Sequence, residues 1–465
     1  MYQDQINTYF SHREQEFIDI TSQLIAVPSV RSEELPGMPY GKGPAEALAV
    51  GMSILQKIGF KTRNMENQVG TADLNEKETS LAILCHLDVV AEGSGWNTPP
   101  YTPIVRDGML YGRGSSDNKG PAAAAIMAMQ AVKEMKIPLR SNVRLILGTA
   151  EETGSSDIAY YMQHEKMPPC TFSPDGEFPV TNTEKGGLKP TFSKTWKEST
   201  VLPRIISVHG GHTINIVPEQ AEAVIEGLSV AETLPFLAKA QQSTGAEFTL
   251  AEENGKTRIS AHGKPEHAST PEKGCNAITA LLTLLAGLPV AESESFTAVK
   301  QLNQLFPHGD FYGKAAGIAQ SDEISGPLTL SFDIFDQTLT GFTGRFDSRV
   351  PICATKENCH DVIEAKFNKL GIKMEGQQHP SHHTPCDSPF VQTLLAIYEK
   401  YTGNKGGCES MGGGTYVHDI EGGVAFGAMM PGFEPHMHGA NEHVSIKDMI
   451  TAAKIFTQVI IDICS

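Results

Sequence analysis

The 465-residue chain has little positive charge, with 37 Lys and Arg against 54 Asp and Glu and a formal net charge of -17. Nucleic acids and anionic membranes repel an acidic surface, so both are unfavourable partners. The chain also has no apolar run of the roughly 18 residues that a membrane-spanning helix needs. We therefore expect no nucleic-acid partner and no membrane partner.

The chain lacks a secretory pattern at its N-terminus, where MYQDQINTYFSHREQEF has no basic segment followed by an apolar one. Its eight cysteines are scattered along the chain and form no CxxC pair. This spacing disfavours a disulfide framework and a cysteine-bound zinc site, and it fits a reducing compartment. We expect a cytoplasmic protein.

Hydrophobic residues make up 40% of the chain, which supports a sizeable core, and the length favours two domains. The nearly continuous apolar runs at residues 81–90 and 141–152 predict buried strands. The alanine-rich segment 120–137 predicts a helix, with Pro121 in its first turn and Pro138 after its end. Strand, helix and strand at this spacing indicate parallel pairing in an α/β sheet.

The pattern changes after about residue 185, where short polar–apolar alternations indicate an inserted α+β domain. Long helices and glycine-rich loops return from about residue 385. The prediction is therefore an α/β domain of residues 1–184 and 385–465, with a mostly parallel central sheet flanked by helices. An α+β domain of one or two lobes interrupts it at residues 185–384.

Acids and histidines stand where the predicted strands give way to loops. They are His86 and Asp88 in CHLDVV, Asp117 in GRGSSDNKGP, Glu151 and Glu152 in GTAEETG, and Asp175 in FSPDGEF. Loops beyond the carboxyl ends of parallel strands converge on one crevice, so these side chains can meet. Converging carboxylates repel one another strongly, and one or two divalent cations would remove that repulsion. The sequence therefore predicts a metal site.

The residue types at this predicted site fit a particular chemistry. Histidine nitrogen with carboxylate oxygen suits Zn²⁺, with Mn²⁺ or Co²⁺ as alternatives. Two residues apart on a strand, Asp88 can hold the far ring nitrogen of His86. Asp117 has two oxygens and could bridge two metals. One of Glu151 and Glu152 can bind metal while the other acts as a general base.

Each motif has an ordinary structural explanation when it stands alone. A His-x-Asp pair on a strand is commonly a structural hydrogen bond, and Asp117 alone could cap a helix or turn. A Glu-Glu pair after a strand is commonly a solvated loop, and Asp175 before Gly176 could form a turn. Their order and placement together favour the metal site.

These segments resemble the M20 family of co-catalytic metallopeptidases, and most of all its bacterial dipeptidase PepV group. The matching segments are HLDVV (86–90), GWNTPPYTPIVRDGMLYGRGSSDNKG (95–120), GTAEETG (148–154) and SPDGEFP (173–179). The resemblance continues weakly through the insertion and returns at GGGTYVHDIEGGVAFGAMMPG (412–432) and MHGANE (437–442).

The resemblance implies two divalent metal ions, with Zn²⁺ the first choice. The implied ligands are His86, Asp117, Glu152, Asp175 and His438, with Asp117 bridging. Glu151 would be the general base and acid, and Asp88 would orient His86. Of the three histidines in PHMHGANEH, only His438 has the family's spacing to the Glu of HGANE. Residues 1–184 and 385–465 would then be the catalytic di-metal domain, and residues 185–384 a lid domain.

The insertion carries its own matches. GKPEHASTPEKGCNA (263–277) resembles the family's lid motif, in which His267 would donate to the oxyanion. Asn215 and Arg349 resemble the lid residues that bind the substrate's α-carboxylate, which suits an arginine fork. Further donors could come from Gly413, Gly414 and Thr415. Two simpler readings stay open, because Arg349 could instead pair with Asp347 and the glycines could form only a tight turn. No role is assigned to His418.

The resemblance implies a di-zinc dipeptidase that hydrolyses dipeptides with free N- and C-termini through a metal-bridged water and Glu151. The partner would be a small peptide, and a doubled lid that supplies His267 within one chain implies a monomer. Two alternatives stay open: an N-acyl amino acid amidohydrolase of the same family, and a non-catalytic relative that binds peptides. A structural metalloprotein is a third, disfavoured by the number of acids at the site.

Overall fold

The structure is a computed structural model, and it describes residues 2–465. The chain divides into two compact units, one ending at Glu184 and resuming at His383–Ser465, the other formed by Lys185–His382. Within the described residues, no helix combines the length and apolar character that crossing a bilayer would require.

The first unit is built on a mixed sheet flanked by helices. Its first part contains α1 (Gln3–Phe10), α2 (Glu14–Ile25), α3 (Lys42–Ile58), β1 (Lys61–Met65), β2 (Val69–Asp73), β3 (Thr79–His86), β4 (Ile104–Arg106), β5 (Met109–Tyr111), α4 (Lys119–Glu134), β6 (Asn142–Gly148), α5 (Ser156–His164), β7 (Cys170–Ser173), β8 (Gly176–Glu177) and β9 (Val180–Glu184).

The second unit is an antiparallel sheet with helices packed against it. It contains β10 (Gly186–Leu188), β11 (Thr191–Thr195), β12 (Arg204–Gly210), β13 (Gln220–Glu226), α6 (Val230–Thr244), β14 (Glu247–Glu253), β15 (Lys256–His262), α7 (Ala277–Ala286), α8 (Glu294–Leu305), β16 (Ser321–Asp322), β17 (Gly326–Pro327), β18 (Thr329–Thr338), β19 (Gly341–Val350), α9 (Asp361–Lys369), β20 (Lys373–Glu375) and β21 (Gln378–His379).

The chain returns to the first unit through the short strand β22 (His382–His383). The remaining elements are α10 (Pro389–Thr402), β23 (Cys408–Met411), β24 (Val424–Ala425), β25 (Ala428–Met429), β26 (His443–Ser445) and α11 (Ile446–Cys464). Helix α11 begins at its N-cap Ser445, whose hydroxyl accepts a hydrogen bond from the backbone of Asp448.

Strand β3 lies at the centre of the first unit's sheet, where it runs parallel to β6 on one side and to β7 on the other. Its residues from Leu81 to His86 are fully buried. The alanine-rich helix α4 is buried along nearly its whole length, because it packs against this sheet and against α11. Mixed strands with flanking helices confirm the predicted α/β class.

The strand boundaries correct two details of the sequence prediction. Strand β3 ends at His86, so Asp88 lies in the following loop rather than on the strand. Strand β6 ends at Gly148, and residues Glu151–Thr153 form one turn of 3-10 helix. The apolar runs at 81–90 and 141–152 continue past these ends because the loops at this edge of the sheet are themselves partly buried.

The sheet of the second unit has the order β14-β15-β13-β12-β18-β19-β10-β21, and β11 pairs with β19 and β20. Its core contains a cluster of stacked and tilted phenylalanines around Phe192. A register irregularity between Phe332 and Ile334 interrupts the pairing of β18 with β19. This bulge places Asp333 beside the cluster of charged side chains described below.

The cysteine pattern was misleading at one place in the first unit. Cys386, just before α10, forms a disulfide with Cys408 at the start of β23. The two residues are 22 apart in sequence, so no short-spacing motif such as CxxC indicated the disulfide. The other cysteines of the described chain are unpaired.

Candidate metal centre

The predicted ligands meet at one edge of the first unit's sheet. His86 is the last residue of β3, and it lies opposite Gly148, the last residue of β6. Asp175 follows the end of β7 by two residues. Because β3, β6 and β7 are parallel, their carboxyl ends bring these loops together. The two remaining ligand residues come from the loop before α4, which carries Asp117, and from the loop before β26, which carries His438.

Asp117 lies between the two histidines. Its Oδ1 is 2.8 Å from His86 Nε2, and its Oδ2 is 2.8 Å from His438 Nε2. On the Nε2 side of His86, the nearest further acid is Asp175, with Oδ2 at 3.5 Å from Nε2. Around His438 it is Glu152, with Oε2 at 3.4 Å from Nε2. The side chains thus form two adjoining groups, each with one histidine and two carboxylates, that share Asp117.

The tautomer of His86 follows from its other ring nitrogen. Nδ1 is 3.0 Å from the backbone carbonyl of Asp88, an acceptor only, so Nδ1 carries a proton and donates. In the neutral ring Nε2 then presents its lone pair toward Asp117. That lone pair could bind a cation. Without a cation, a second ring proton on Nε2 makes the contact with Asp117 favourable. Although burial opposes this protonation, Asp175 and Asp117 promote it by raising the pKa of His86 well above its ordinary value. The expected contact from Asp88 is therefore made chiefly by its backbone oxygen, with its carboxylate Oδ1 at 3.4 Å.

The Asp88 carboxylate has a second task. Its Oδ1 accepts a hydrogen bond from the backbone amide of Glu151, and its Oδ2 accepts one from the amide of Glu152, both at 3.2 Å. It therefore holds the 3-10 turn that carries the two glutamates.

The acids are energetically costly without a counter-charge. Burial raises the pKa of Glu151 well above its ordinary value, and repulsion from Asp175 and Asp117 adds to this although His86 opposes it. Burial and repulsion from Asp117 raise the pKa of Glu152 to about 7. Glu152 Oε1 is also buried with no hydrogen-bond partner among residues 2–465. An orphaned oxygen among crowded acids and histidines fits a bound cation, because nitrogen and oxygen ligands suit zinc-like metals.

At this edge of the sheet, potential ligand atoms converge in two sets, one from His86, Asp117 and Glu152 and one from His86, Glu151 and Asp175, each within 4.8 Å. Glu151 is therefore inside the same cluster, beside the atoms that would hold metal. All of the predicted ligand residues and Glu151 lie in the first unit, whose fold brings them together.

Glu442 was not singled out in the sequence, although it ends the MHGANE segment. Its buried carboxylate accepts hydrogen bonds from Arg113 Nη1 at 2.7 Å, from the Gly114 amide at 3.0 Å and from the Asp117 amide at 3.1 Å. The amide and hydroxyl of Ser116 also donate to it, both at 2.8 Å. This carboxylate fixes the loop that carries Asp117. The signal was present, because Glu442 ends the MHGANE segment that was used to choose His438.

The glycine-rich loop of the first unit, which contains Gly413, Gly414 and Thr415, is held by hydrogen bonds to a buried carboxylate of the same unit. The backbone amide and hydroxyl of Thr415 both donate to buried Glu184, at 3.1 and 2.8 Å. His418 Nδ1 lies 3.0 Å from the same carboxylate, which gives that histidine a structural partner. A Cβ on Gly414 would lie 3.2 Å from His418, so the loop is closely packed there, and neighbouring Gly413 is half-buried. In this conformation the Thr415 hydroxyl is engaged with Glu184.

The predicted lid residues lie together in the second unit. Asn215 has a φ of 81°, and its amide donates to Asp333 Oδ2 at 2.8 Å. Its carbonyl accepts from the amide of Ala268, the residue after His267. Arg349 is paired with Asp347 through Nε–Oδ1 and Nη2–Oδ2 contacts of 2.9 Å each. The simpler reading of Arg349, a pair with Asp347, is therefore realised.

His267 is prepared to donate. The amide of Ser269 donates to its Nδ1 at 3.2 Å, so Nδ1 accepts and the neutral ring carries its proton on Nε2. Burial lowers the pKa of His267, and the positive charges of Arg349 and Lys189 lower it further against Asp347. A neutral imidazole with a proton on Nε2 is a hydrogen-bond donor at neutral pH.

Comparison with known proteins agrees with this arrangement. The model of the Peptidase family M20/M25/M40 matches residues 82–462. YtjP of Bacillus subtilis (strain 168) is 33% identical over 461 residues, covering 97% of this chain and 98% of that protein. The Beta-Ala-Xaa dipeptidase of Lactobacillus delbrueckii subsp. lactis is 33% identical over 457 residues, covering 95% and 94%.

The solved structures support the fold. Human carnosine dipeptidase 1 superposes with a TM-score of 0.61 at 16% identity, over 100% of this chain and 99% of that one. The aminopeptidase PepT of Bacillus cereus gives a TM-score of 0.57 at 15% identity, over 97% and 98%. At these identities the likeness concerns the fold alone.

Proposed function

Because the chain belongs to peptidase family M20/M25/M40 and is a metallopeptidase, we propose that it is a dipeptidase for dipeptides with free N- and C-termini. The observation that carries the proposal is the position of Asp117, whose two oxygens each lie 2.8 Å from a different histidine. The relatives at 33% identity support it by name, since one is called a Beta-Ala-Xaa dipeptidase and YtjP is named as a dipeptidase too.

Two divalent cations would be held by the two adjoining groups. His86 and Asp175 would hold one, His438 and Glu152 would hold the other, and Asp117 would bind both. When bound, such cations act as Lewis acids and lower the pKa of a water at the site. We propose Zn²⁺, which suits mixed histidine and carboxylate ligands, with Mn²⁺ and Co²⁺ as the alternatives.

Glu151 would move the proton. Its carboxylate takes a proton from the attacking water while the water oxygen bonds to the carbonyl carbon of the peptide. When the carbon–nitrogen bond breaks, Glu151 gives that proton to the leaving amine. The role is supported by the position of Glu151, whose carboxylate lies in the same cluster of potential ligand atoms as His86 and Asp175.

The second unit would bind the substrate and stabilise charge. The Nε2–H of His267 would donate to the oxyanion that forms on the carbonyl oxygen. Arg349 and Asn215 would bind the α-carboxylate, and the loop of Gly413, Gly414 and Thr415 in the first unit would add donors. We propose that the two units are the catalytic domain and the lid domain of one working monomer. A cytoplasmic location stays a prediction.

The test is an assay of the purified chain after removal of metal and reconstitution with Zn²⁺, Mn²⁺ or Co²⁺. The panel contains Ala-Ala, β-Ala-Ala, Ala-Ala-Ala, N-acetyl-Ala-Ala and N-acetyl-Ala, and bound metal is counted by mass spectrometry. We expect turnover of the dipeptides and poor turnover of the tripeptide and of both acetylated compounds. Preference for N-acetyl-Ala would instead identify an amidohydrolase, and binding without turnover would identify a non-catalytic relative.

A further inference from the structure

Two cations of the second unit share one carboxylate. Lys189 Nζ lies 3.5 Å from Asp347 Oδ2, and the same oxygen lies 2.9 Å from Arg349 Nη2. The Asp347 side chain is fully buried, the Arg349 side chain is nearly so, and 40% of the Lys189 side chain is exposed. Lys189 is therefore the cation of this trio that solvent or a ligand reaches.

The strand register explains the arrangement. Strand β10 pairs antiparallel with β19, with Gly187 opposite Arg349 and Leu188 opposite Ser348. Continued by one residue, this register sets Lys189 opposite Asp347, and opposite residues of an antiparallel pair share a face. Asp347 and Arg349 are two apart on β19, so they share that face as well. Backbone geometry thus gathers the three charges.

The charges do not cancel. Arg349 holds Asp347 through both of its oxygens, in the bidentate geometry that satisfies a carboxylate best. The contact from Lys189 is longer than a normal ammonium–carboxylate hydrogen bond, so Lys189 is only loosely engaged. One positive charge is left over, and it belongs to the more exposed of the two cations.

The nearby acid Asp333 does not offset this surplus at neutral pH. Burial raises the pKa of Asp333 to about 8, although the hydrogen bond from the backbone amide of Asn215 opposes the shift. The neutral His267 adds no charge either. A small anion that approaches Lys189 therefore meets the net positive charge of the group formed by Lys189, Asp347 and Arg349.

We propose that Lys189 is a substrate-binding residue of the same site, the one that supplies the charge for the α-carboxylate of the dipeptide while Arg349 is largely matched by Asp347. This inference rests on the proposed function. It differs from what the family resemblance implies, because there the arginine is the residue that binds the substrate's α-carboxylate. The ammonium of Lys189 swings from Asp347 to the substrate, and Asp347 keeps the planar fork of Arg349 in position beside it.

The test compares Ala-Ala with Ala-Ala-NH2, which lacks the charged carboxylate, on the metal-reconstituted full chain. K189M should raise KM for Ala-Ala by roughly ten-fold to a hundred-fold, the loss expected for a hydrogen bond between charged groups. The kcat should change little, because the contact is made equally in the ground state and the transition state. For Ala-Ala-NH2 neither constant should change, and K189R should retain most of the affinity for Ala-Ala.

The matched control is K197M, which removes an exposed lysine shortly after β11 and should behave as the wild type. An unchanged KM for Ala-Ala in K189M would overturn the proposal and leave the carboxylate to Arg349. An equal loss on Ala-Ala and on its amide would also overturn it, because Lys189 would then act on the fold or on His267.

Failure of the proposed function looks different from failure of this inference. If the wild type cleaves no dipeptide with any of the three metals, the proposed function is wrong whatever Lys189 does. Calorimetric binding of alanine and of alaninamide then still tests the carboxylate site. Tighter binding of alanine that K189M abolishes supports the role of Lys189, and equal binding of both by the wild type overturns it.

Discussion

The carboxylate of Glu442 accepts a hydrogen bond from the guanidinium of Arg113 at 2.7 Å, and both side chains are buried from solvent. Arg113 also contacts the backbone carbonyl of His438 through Nη2 at 3.3 Å. The amide of Asp117 donates to Glu442 as well. This pair therefore joins the two loops that present the shared carboxylate and the second histidine.

Removal of one partner of this pair should be costly, because it leaves the other as an uncompensated buried charge. We expect E442Q to lower the free energy of unfolding by about 3–5 kcal/mol, and R113M to do the same. The double variant R113M/E442Q should lose less than the sum of the two, and urea denaturation measures all three. E421Q, at an exposed position, serves as the control. Additive losses would show that the two residues act independently.

The role of Glu151 predicts a separation between binding and turnover. We expect E151Q to lower kcat by roughly 10²–10⁴-fold, the usual range for general acid–base catalysis. The variant should still bind two metal ions per chain, because Glu151 is not among the proposed ligands. Activity and metal content are measured on the same preparation. Loss of metal from E151Q would mean that Glu151, rather than Glu152, is the ligand.

The shared position of Asp117 predicts that the two metal ions depend on it together. We expect the wild type to bind two divalent ions per chain, to lose activity on chelation and to regain it on reconstitution. D117N should bind both ions more weakly, since one side chain serves both groups, whereas D419N at an exposed position should bind them normally. Mass spectrometry of dialysed samples gives the counts, and a D117N chain that keeps one ion at full affinity would contradict the shared site.

Asp157 predicts a pH dependence of stability. Its carboxylate accepts hydrogen bonds from Tyr416 and from the amides of Thr149 and Ala150, and burial raises its pKa from 3.8 to about 6 despite them. The folded chain therefore keeps this proton where the unfolded chain loses it. The contribution of Asp157 to the free energy of unfolding is greatest below about pH 4 and falls as the pH rises to about 6, by up to roughly 3 kcal/mol.

The measurement is the difference between wild type and D157N in urea denaturation at several pH values from 4 to 7. Other acids titrate in the same range, so the difference isolates Asp157. It should change with pH up to about 6 and be constant above it. A difference that does not vary with pH would mean that the pKa of Asp157 is the same in the folded and unfolded chains.

The α/β class could be predicted from the sequence, because the hydrophobic pattern of each segment and the order of the segments along the chain indicate the same fold. Apolar runs before His86 and before Gly148 are typical of buried parallel strands, and the alanine-rich segment between them favours a helix in close packing. The convergence of His86, Glu152 and Asp175 followed from the same rule, because the parallel strands β3, β6 and β7 end at one edge. Asp117 lies outside that rule, because it precedes α4. These predictions concern only which residues lie close together, and the hydrophobic pattern that locates the strand ends is enough to make them.

Other contacts depend on backbone atoms or on distant segments, and a side-chain pattern does not contain them. The carbonyl of Asp88, rather than its carboxylate, makes the shorter contact with His86, because β3 ends at His86 while the apolar run continues to residue 90. Glu442 reaches a loop more than three hundred residues away, and Cys386 reaches Cys408 across a helix. The β-bulge that turns Asp333 toward Asn215 is likewise set by strand pairing.

The two oxygens of Asp88 accept hydrogen bonds from the consecutive backbone amides of Glu151 and Glu152. A single carboxylate therefore fixes the positions of both glutamates. Insertion or deletion of one residue between Gly148 and Glu151 would shift by one position the residues whose amides contact Asp88. Glu151, the proposed proton carrier, would then occupy the position of Glu152, the proposed metal ligand, although every side chain of the motif would still be present. The number of residues in this short loop is therefore as much a part of the chemistry as their identity, and we expect related chains to vary in composition here while keeping its length.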